Sequence, residues 1–136
     1  MKIVLDTNVL VSGILSPNGP PAAVLRALLT ERVTLCFDER IISEYRDVLT
    51  RTKFSFDLDL VEELIGFLEA AGSPTLASPL AVKLPDPWDQ MFIEVAVSSN
   101  AGFLVTGNLK HFPETARAGI RVVSPRAFLD LLLEGQ

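Results

Sequence analysis

The chain opens with Lys2-Ile3-Val4-Leu5-Asp6-Thr7-Asn8-Val9-Leu10, an aliphatic run interrupted by three polar residues. After Lys2, residues 3–5 are all apolar and do not alternate with polar residues. This pattern is typical of a strand that is buried on both faces. Because the carboxyl ends of parallel strands form the ligand-binding edge of an α/β sheet, Asp6 is a candidate site residue. The alternative is that Asp6 only begins a turn.

Strand and helix patterns alternate along the rest of the chain. Short apolar runs, typical of buried strands, are separated by segments with apolar residues at helical spacing. The Ser/Pro-rich segments 16–21 and 73–80 are predicted loops. The alternation favours a three-layer α/β/α sandwich around a central, mainly parallel sheet of about five strands. We predict strands at 2–5, 33–37, 81–84, 103–105 and 120–123, and helices at 22–31, 38–50, 57–71, from Asp86 onward, and 124–133.

Size and composition bound the class of protein. The 136 residues fit a single domain, residues 1–136, and 49% hydrophobic residues are enough for a substantial core. Cys36 is the only cysteine and stands in an apolar run, so we expect a buried, unreactive thiol in a reducing compartment. No targeting signal and no apolar run of about 18 residues is visible. We therefore predict a cytoplasmic protein without a membrane partner.

Charge is distributed unevenly along the chain. The net charge of −5 argues against strong non-specific binding to nucleic acid, which normally relies on a basic surface. Residues 54–82 contain acidic residues and no Lys or Arg, whereas basic residues cluster just before this segment and near the end of the chain. Arg51, Lys53 and Lys110 could therefore belong to a local basic rim, or they could be ordinary solvated surface charges.

Polar residues recur where the predicted strands end, and a parallel topology brings these ends to one edge of the sheet. Crowded carboxylates require a cation or a proton. Oxygen donors without His or Cys favour Mg²⁺ or Mn²⁺ over Zn²⁺, and such a site can activate water for phosphodiester hydrolysis. The residues are Asp6 and Asn8 after the first strand, Glu44 in the helix after the second, Asp86 and Asp89 after the third, and Thr106, Gly107 and Asn108 after the fourth.

Each of these residues also has a purely structural alternative. Asn8 could cap the following segment, and Glu44 could lie on a solvated helix face. The segment Asp86-Pro87-x-Asp89 has the form of a capped helix start, in which both carboxylates only stabilise the helix. Residues 106–108 could form an ordinary turn. His111, the only histidine of the sequence, has no evident nucleophile beside it, which argues against Ser/His/Asp or Cys/His catalysis.

In their order and spacing, these motifs resemble the PIN-domain family, and most closely its branch of toxins from toxin–antitoxin systems. Asp-Thr-Asn alone is a weak signal, whereas four motifs in order across nearly the whole chain are fairly specific. The motifs are the opening residues 2–10 with Val11-Ser12-Gly13 and Pro17-x-Gly19-Pro20-Pro21, then Ile42-Ser43-Glu44-Tyr45 with Val48-Leu49-x-Arg51, then Asp86-Pro87-x-Asp89 with Phe92-Ile93-Glu94-x-Ala96, and finally Val105-Thr106-Gly107-Asn108.

The resemblance implies a metal-dependent endoribonuclease that uses Mg²⁺ or Mn²⁺ to hydrolyse single-stranded RNA. It carries the catalytic acidic roles to Asp6, Glu44 and Asp89, with Asp86 and Asn108 as further metal contacts. It also implies a small antitoxin protein as a partner and a homodimer or larger homo-oligomer. The supporting residues are Asn8, Ser12 and Thr106, which would orient water or phosphate, and Arg51, Lys53 and Lys110, which would contact RNA.

Two residues depart from the family pattern. The family often has an aspartate where Asn108 stands, so a second metal ion would be held more weakly. Trp88 stands where a polar or acidic residue is common. The acidity and Asn108 leave a non-catalytic PIN module that binds RNA or protein as an alternative. A phosphatase with Asp6 as nucleophile is disfavoured, because Asn8 stands where its second aspartate is expected.

Overall fold

A computed structural model, which describes residues 1–135, contains one sheet of five parallel strands. These strands and six helices within residues 1–135 form the predicted α/β/α sandwich. The strands are β1 (Lys2–Leu5), β2 (Thr34–Phe37), β3 (Ser73–Pro74), β4 (Phe103–Val105) and β5 (Arg121–Val123). The helices are α1 (Thr7–Leu15), α2 (Pro20–Leu29), α3 (Glu39–Leu49), α4 (Leu58–Ala71), α5 (Gln90–Ser99) and α6 (Pro125–Glu134).

The strand order is β3-β2-β1-β4-β5, and every neighbouring pair is parallel. The chain builds outward from β1 to β2 and β3, and then returns to add β4 on the other side of β1. The carboxyl ends of β1 and β4 therefore flank the point where the order reverses. In open α/β sheets this is the crevice in which ligands bind. Residues 6 and 106, which follow these two strands, lie at that crevice.

The centre of the sheet is the centre of the hydrophobic core. Ile3, Val4 and Leu5 of β1 are fully buried, as are Leu104 and Val105 of β4. Continuous burial of consecutive residues requires helices on both faces, which explains why these strands do not alternate between polar and apolar residues. Cys36 is also fully buried, as expected for a structural thiol.

The predicted strand at 81–84 is wrong. The third strand is Ser73–Pro74, which pairs with Cys36 and Phe37 of β2 and lies within the segment predicted as a loop. Proline is tolerated there because an edge strand leaves one side of the backbone unpaired. Backbone groups of 81–84 form hydrogen bonds with a side chain and not with a neighbouring strand. The Gln90 side chain donates to the carbonyl of Val82 at 2.6 Å and accepts from the Leu84 amide at 3.3 Å.

The helix starts follow local capping rules. Asp38 caps α3 by accepting a hydrogen bond from the Ile41 amide at 3.1 Å, at the start of the helix predicted over 38–50. Helix α2 begins at Pro20, two residues earlier than predicted, because proline suits the first helical turn. Close packing of α1 on α2 depends on Gly13, where an added Cβ atom would lie 3.1 Å from the Pro21 carbonyl oxygen. Over residues 1–135, no helix has the length and apolar character needed to cross a lipid bilayer.

Candidate active site

Asp6 lies at the carboxyl end of β1 and immediately before α1. It occupies the N-cap position of α1, but its side chain makes no capping hydrogen bond. Instead, the Thr106 hydroxyl donates to Asp6 Oδ2 at 2.7 Å, and this contact joins residues that follow β1 and β4. Asp6 is only 5% exposed. Its carboxylate is therefore held at the strand crossover point by a neighbouring strand and not by its own helix.

Glu44 reaches the same crevice from α3. The Tyr45 hydroxyl donates to the carbonyl oxygen of Leu5, and this buried contact fixes α3 against the end of β1. The Thr7 hydroxyl donates to the Glu44 carboxylate. Glu44 is thus hydrogen-bonded to Thr7, and Tyr45 to Leu5, so that α3 contacts the residues on either side of Asp6. Thr7 was not singled out by the sequence, although it stands between two predicted site residues.

Asp89 is buried at the start of α5, and one of its oxygens lacks a hydrogen-bond donor. Oδ2 is the one buried side-chain polar atom without a partner among the residues described. Nδ1 of His111 lies 3.2 Å from this oxygen, without the alignment of a hydrogen bond. No site role was predicted for His111, although it follows the predicted site segment 106–108 by three residues. That proximity was the one available signal.

The pKa values of the three carboxylates are all raised, and the charge of Asp6 contributes to the increase at the other two. Burial raises the pKa of Asp6, and the Thr106 hydrogen bond only partly offsets this. Burial also raises the pKa of Glu44, against the Thr7 hydrogen bond, and the charge of Asp6 adds to the increase. Burial, followed by the charge of Asp6, raises the pKa of Asp89 to about 6. A cluster of this kind favours the uptake of positive charge.

Asp86 and Asp89 have different local roles, and neither follows a strand directly, because the predicted strand before them is absent. Asp86 caps the 3₁₀ turn Pro87–Asp89 by accepting a hydrogen bond from the Trp88 amide at 3.0 Å. Asp86 therefore has the capping role that was its structural alternative to a site role. Its charge nevertheless raises the pKa of Asp89. Asp89 makes no side-chain capping bond to α5. Capping does not account for the burial of the Asp89 carboxylate.

The loop after β4 is tied to the start of α1. Asn8 Oδ1 accepts a hydrogen bond from the Gly107 amide at 3.1 Å, so Asn8 bridges two strand ends and does not cap α1. The Asn108 amide donates to the Thr106 hydroxyl oxygen at 3.1 Å. The side chain of Asn108 is half-buried and makes no capping bond. Ser12 is exposed on α1, one turn beyond Asn8.

The predicted RNA-contacting residues are spread over the surface. Arg51 lines a cleft next to Glu44 and forms an ion pair with Asp47 at 3.1 Å. Lys53 lies outside the residues that line this cleft, with its amine 5.1 Å from the centre of the Phe54 ring. Lys110 is exposed in the short 3₁₀ turn that also carries His111. The structure thus brings Arg51 to the cleft and leaves Lys53 away from it.

Family comparison assigns the chain to a known domain type. The family model described as PIN domain matches residues 2–110, and every predicted site residue lies within this range. The chain belongs to the PIN domain family. No curated protein sequence matches it significantly. The match covers most of the chain and agrees with the resemblance found in its motifs.

Three solved structures share the fold. FitAB bound to an IR36 DNA fragment matches with a TM-score of 0.63 and 21% identity, covering 90% of this chain and 94% of that one. VapBC2 from Rickettsia felis, bound to a DNA fragment from its promoter, gives 0.63 and 17%, covering 91% and 98%. FitAcB from Neisseria gonorrhoeae gives 0.59 and 21%, covering 91% and 98%. At these identities the likeness establishes the fold alone.

The donor set of this PIN domain suits a hard cation. Asp6, Glu44 and Asp89 offer carboxylate oxygens, the donors preferred by Mg²⁺ and Mn²⁺. Across residues 1–135, no three acidic, histidine or cysteine side chains already converge at coordination distance. The buried Asp89 oxygen without a hydrogen-bond donor and the raised pKa values nevertheless fit a bound cation.

Proposed function

We propose that this PIN domain is a metal-dependent endoribonuclease that hydrolyses single-stranded RNA and serves as the toxin of a toxin–antitoxin pair. The observation that carries the proposal is the placement of three buried or half-buried acids, Asp6, Glu44 and Asp89, from separate elements, with the charge of Asp6 raising the pKa of both Glu44 and Asp89. Grouping such acids is unfavourable for folding unless a cation compensates them. A site maintained at such a cost is typical of function.

The residues of the site have distinct proposed roles. Asp6, Glu44 and Asp89 would hold Mg²⁺ or Mn²⁺, with Asp86 and Asn108 as further contacts. When bound, the divalent ion would supply water activation and charge stabilisation for phosphodiester hydrolysis. Thr106 holds Asp6 in place, and Thr7 holds Glu44, through their hydroxyl groups.

The remaining polar residues would position the substrate. Asn8 is fixed by the Gly107 amide and has an exposed position at the edge of the crevice. Ser12 is exposed one turn further along α1. Both would orient water or a phosphate oxygen. Arg51 and Lys110 are exposed and would contact the RNA backbone, as would Lys53, which does not line the cleft.

The proposed partner is a small antitoxin protein, and a homodimer or larger homo-oligomer is the proposed assembly. The FitAB and VapBC2 structures, which share the fold, are complexes bound to DNA. By analogy, a complex of this chain with its partner would bind a DNA fragment of the corresponding promoter. The analogy is one of fold and not of sequence.

The alternative function is a PIN module that binds RNA or a protein without cutting. The net charge of −5 favours the protein-binding form of this alternative, because it opposes the approach of a polyanion. Asn108 favours it as well, since an amide adds no negative charge to hold a second metal ion.

The test is a cleavage assay on a panel of single-stranded RNAs with Mn²⁺, Mg²⁺ or EDTA. We expect metal-dependent cutting that leaves a 5′-phosphate and a 3′-hydroxyl, because water is the proposed nucleophile. Asp6→Asn should abolish cutting, whereas the exposed Asp130→Asn serves as a matched control with the same charge change and full activity. RNA binding without cutting by the wild-type protein would reject the nuclease and support the binding module.

A further inference from the structure

A cleft of about 1070 Å³ lies beside the candidate active site. Residues of α3 form one wall, and residues 79–94 form the other. The cleft reaches the acidic cluster through Glu44 and Asp86, whereas Asp6 and Asp89 do not line it. Its volume lies at the upper limit of the range of about 300–1,000 Å³ that is usual for ligand pockets. The cleft is therefore a space next to the reacting centre and not the centre itself.

The charges in this cleft are largely neutralised within the protein. Arg40 binds Glu94 at 2.9 Å and Asp38 at 2.8 Å. Arg51 is paired with Asp47 at 3.1 Å. These pairings leave the carboxylates of Glu44 and Asp86 as the unpaired charges of the lining. A phosphate therefore finds little free positive charge here, so a ligand must gain its affinity from another group.

Trp88 supplies such a group at the mouth of the cleft. It lines the cleft and is 79% exposed. The other exposed large hydrophobic residues in residues 1–135 are leucines and Met1, and of these only Leu76, at 97%, is more exposed than Trp88. The Asp86 side chain accepts from the Trp88 amide at 3.0 Å, and Pro87 precedes it, so the backbone carrying the ring is fixed. The ring precedes Asp89 directly in the chain.

We propose that Trp88 is a stacking platform for one unpaired nucleobase of the RNA, next to the phosphodiester that is cut. This inference rests on the proposed nuclease function and adds a residue that positions the substrate. Aromatic side chains stack on bases of any sequence, provided that the base is unpaired. Stacking compensates for the scarcity of free positive charge in the cleft. It also gives a physical reason for a preference for single strands over duplexes.

Trp88 is the only tryptophan of the chain, so its fluorescence reports on this position alone. The experiment titrates oligoadenylate into Asp6→Asn protein with Mn²⁺, where binding is separated from cutting. We expect saturable quenching by oligoadenylate and little quenching by the same backbone carrying abasic sites. A duplex of equal length should also quench weakly. Equal quenching by the abasic strand would overturn the stacking.

Variants distinguish a loss of stacking from the general effect of removing an exposed apolar side chain. Trp88→Ala should weaken oligoadenylate binding about 5- to 150-fold, the usual range for one base stacked on an aromatic ring, and Trp88→Phe should retain most of the affinity. Because both variants lack tryptophan, their binding is measured by the fluorescence anisotropy of a labelled oligoadenylate. Leu76→Ala is the matched control, because Leu76 is 97% exposed and does not line the cleft. Mn²⁺ affinity should be unchanged in all three. Equal affinity of Trp88→Ala and wild-type protein for oligoadenylate would overturn the proposal.

The inference and the nuclease function fail in different ways. Cutting that is unaffected by Trp88→Ala would reject the stacking and leave the nuclease intact. Base-dependent quenching in a protein that cuts no RNA would support the stacking and reject the nuclease. If Trp88 instead covers a second copy of the chain, its fluorescence should change with protein concentration in the absence of RNA. That result, with a matching change in sedimentation, would overturn the nucleobase as its occupant.

Discussion

The Thr7 hydroxyl donates a hydrogen bond to the Glu44 carboxylate, although the two residues lie 37 positions apart. Thr7 begins α1 and Glu44 lies in α3, so the contact joins two helices next to Asp6. It favours the ionised form of Glu44 and opposes the effects of burial and of the Asp6 charge on its pKa. Glu44 is thereby kept available as a negatively charged ligand.

Thr7→Val should weaken Mn²⁺ binding by about tenfold or more, as is usual when the partner of a metal ligand is removed. The reason is that Glu44 loses its donor, so its pKa rises further and its side chain is less well oriented. Isothermal titration with Mn²⁺ measures the change. Thr7→Ser keeps the hydroxyl and should behave like the wild type. An unchanged affinity in Thr7→Val would show that Glu44 does not depend on this bond for metal binding.

Asp89→Asn should stabilise the metal-free protein at neutral pH by about 1 to 2 kcal/mol, since a pKa unit corresponds to about 1.4 kcal/mol. The folded-state pKa of Asp89 is raised to about 6. Its favourable contribution is therefore fully present below the unfolded value near 4 and is lost as the pH rises through about 6. The advantage of the variant should be small at low pH and largest above about 6.

Urea denaturation in EDTA at several pH values measures this effect. Asp130→Asn is the control, because this exposed carboxylate makes the same charge change on α6, away from the cluster. A stability difference between Asp89→Asn and the wild type that does not vary with pH would contradict the argument. Adding Mn²⁺ should reverse the order, because only the wild-type protein keeps the full carboxylate set.

Asn108→Asp should tighten Mn²⁺ binding if residue 108 belongs to the metal site. The half-buried Asn108 lies in the loop fixed by the Thr106 hydroxyl, and a carboxylate there would add one negative ligand. Titration of the variant with Mn²⁺ in the presence and absence of oligoadenylate measures the gain. An unchanged affinity would place residue 108 outside the site.

The sequence was sufficient for the elements and residues that depend on local patterns. The strand β1 and the position of Asp6 directly after it follow from an apolar run, and helix α3 follows from its apolar spacing, whereas Asp89 was predicted to follow a strand that is absent. The strand β3 was missed because two residues at a sheet edge carry no apolar pattern. The predicted strand at 81–84 looked regular, but its backbone groups are bonded by the side chain of Gln90.

The contacts that were missed depend on distant residues. Thr7 is ordinary in sequence, and its role appears only when α3 lies against the end of β1. His111 was set aside because no nucleophile stands near it, yet it lies 3.2 Å from Asp89 through the loop after β4. Glu94 belonged to a recognised motif without a role, and the structure pairs it with Arg40. Local patterns located the acids but not the side chains that hold them.

Arg40→Met should destabilise the protein by about 2 kcal/mol, because Glu94 is almost buried and would lose its charged partner. The cost is below the full range for buried pairs, since Arg40 itself is half-exposed. Glu94 would retain only the Leu80 amide, which donates to it at 3.2 Å. In a double-mutant cycle with Glu94→Gln, the double variant should be more stable than the sum of the single changes by about 1 kcal/mol.

The exposed ion pair of Arg46 with Glu62, also 2.9 Å long, provides a matched cycle. Because both of its side chains are about half-exposed, its coupling energy should stay below about 0.5 kcal/mol. Equal coupling energies in the two cycles would contradict a special contribution of the Arg40–Glu94 pair. A larger coupling energy for that pair, with Mn²⁺ binding unchanged, would show that it stabilises the wall of the cleft independently of the carboxylate cluster.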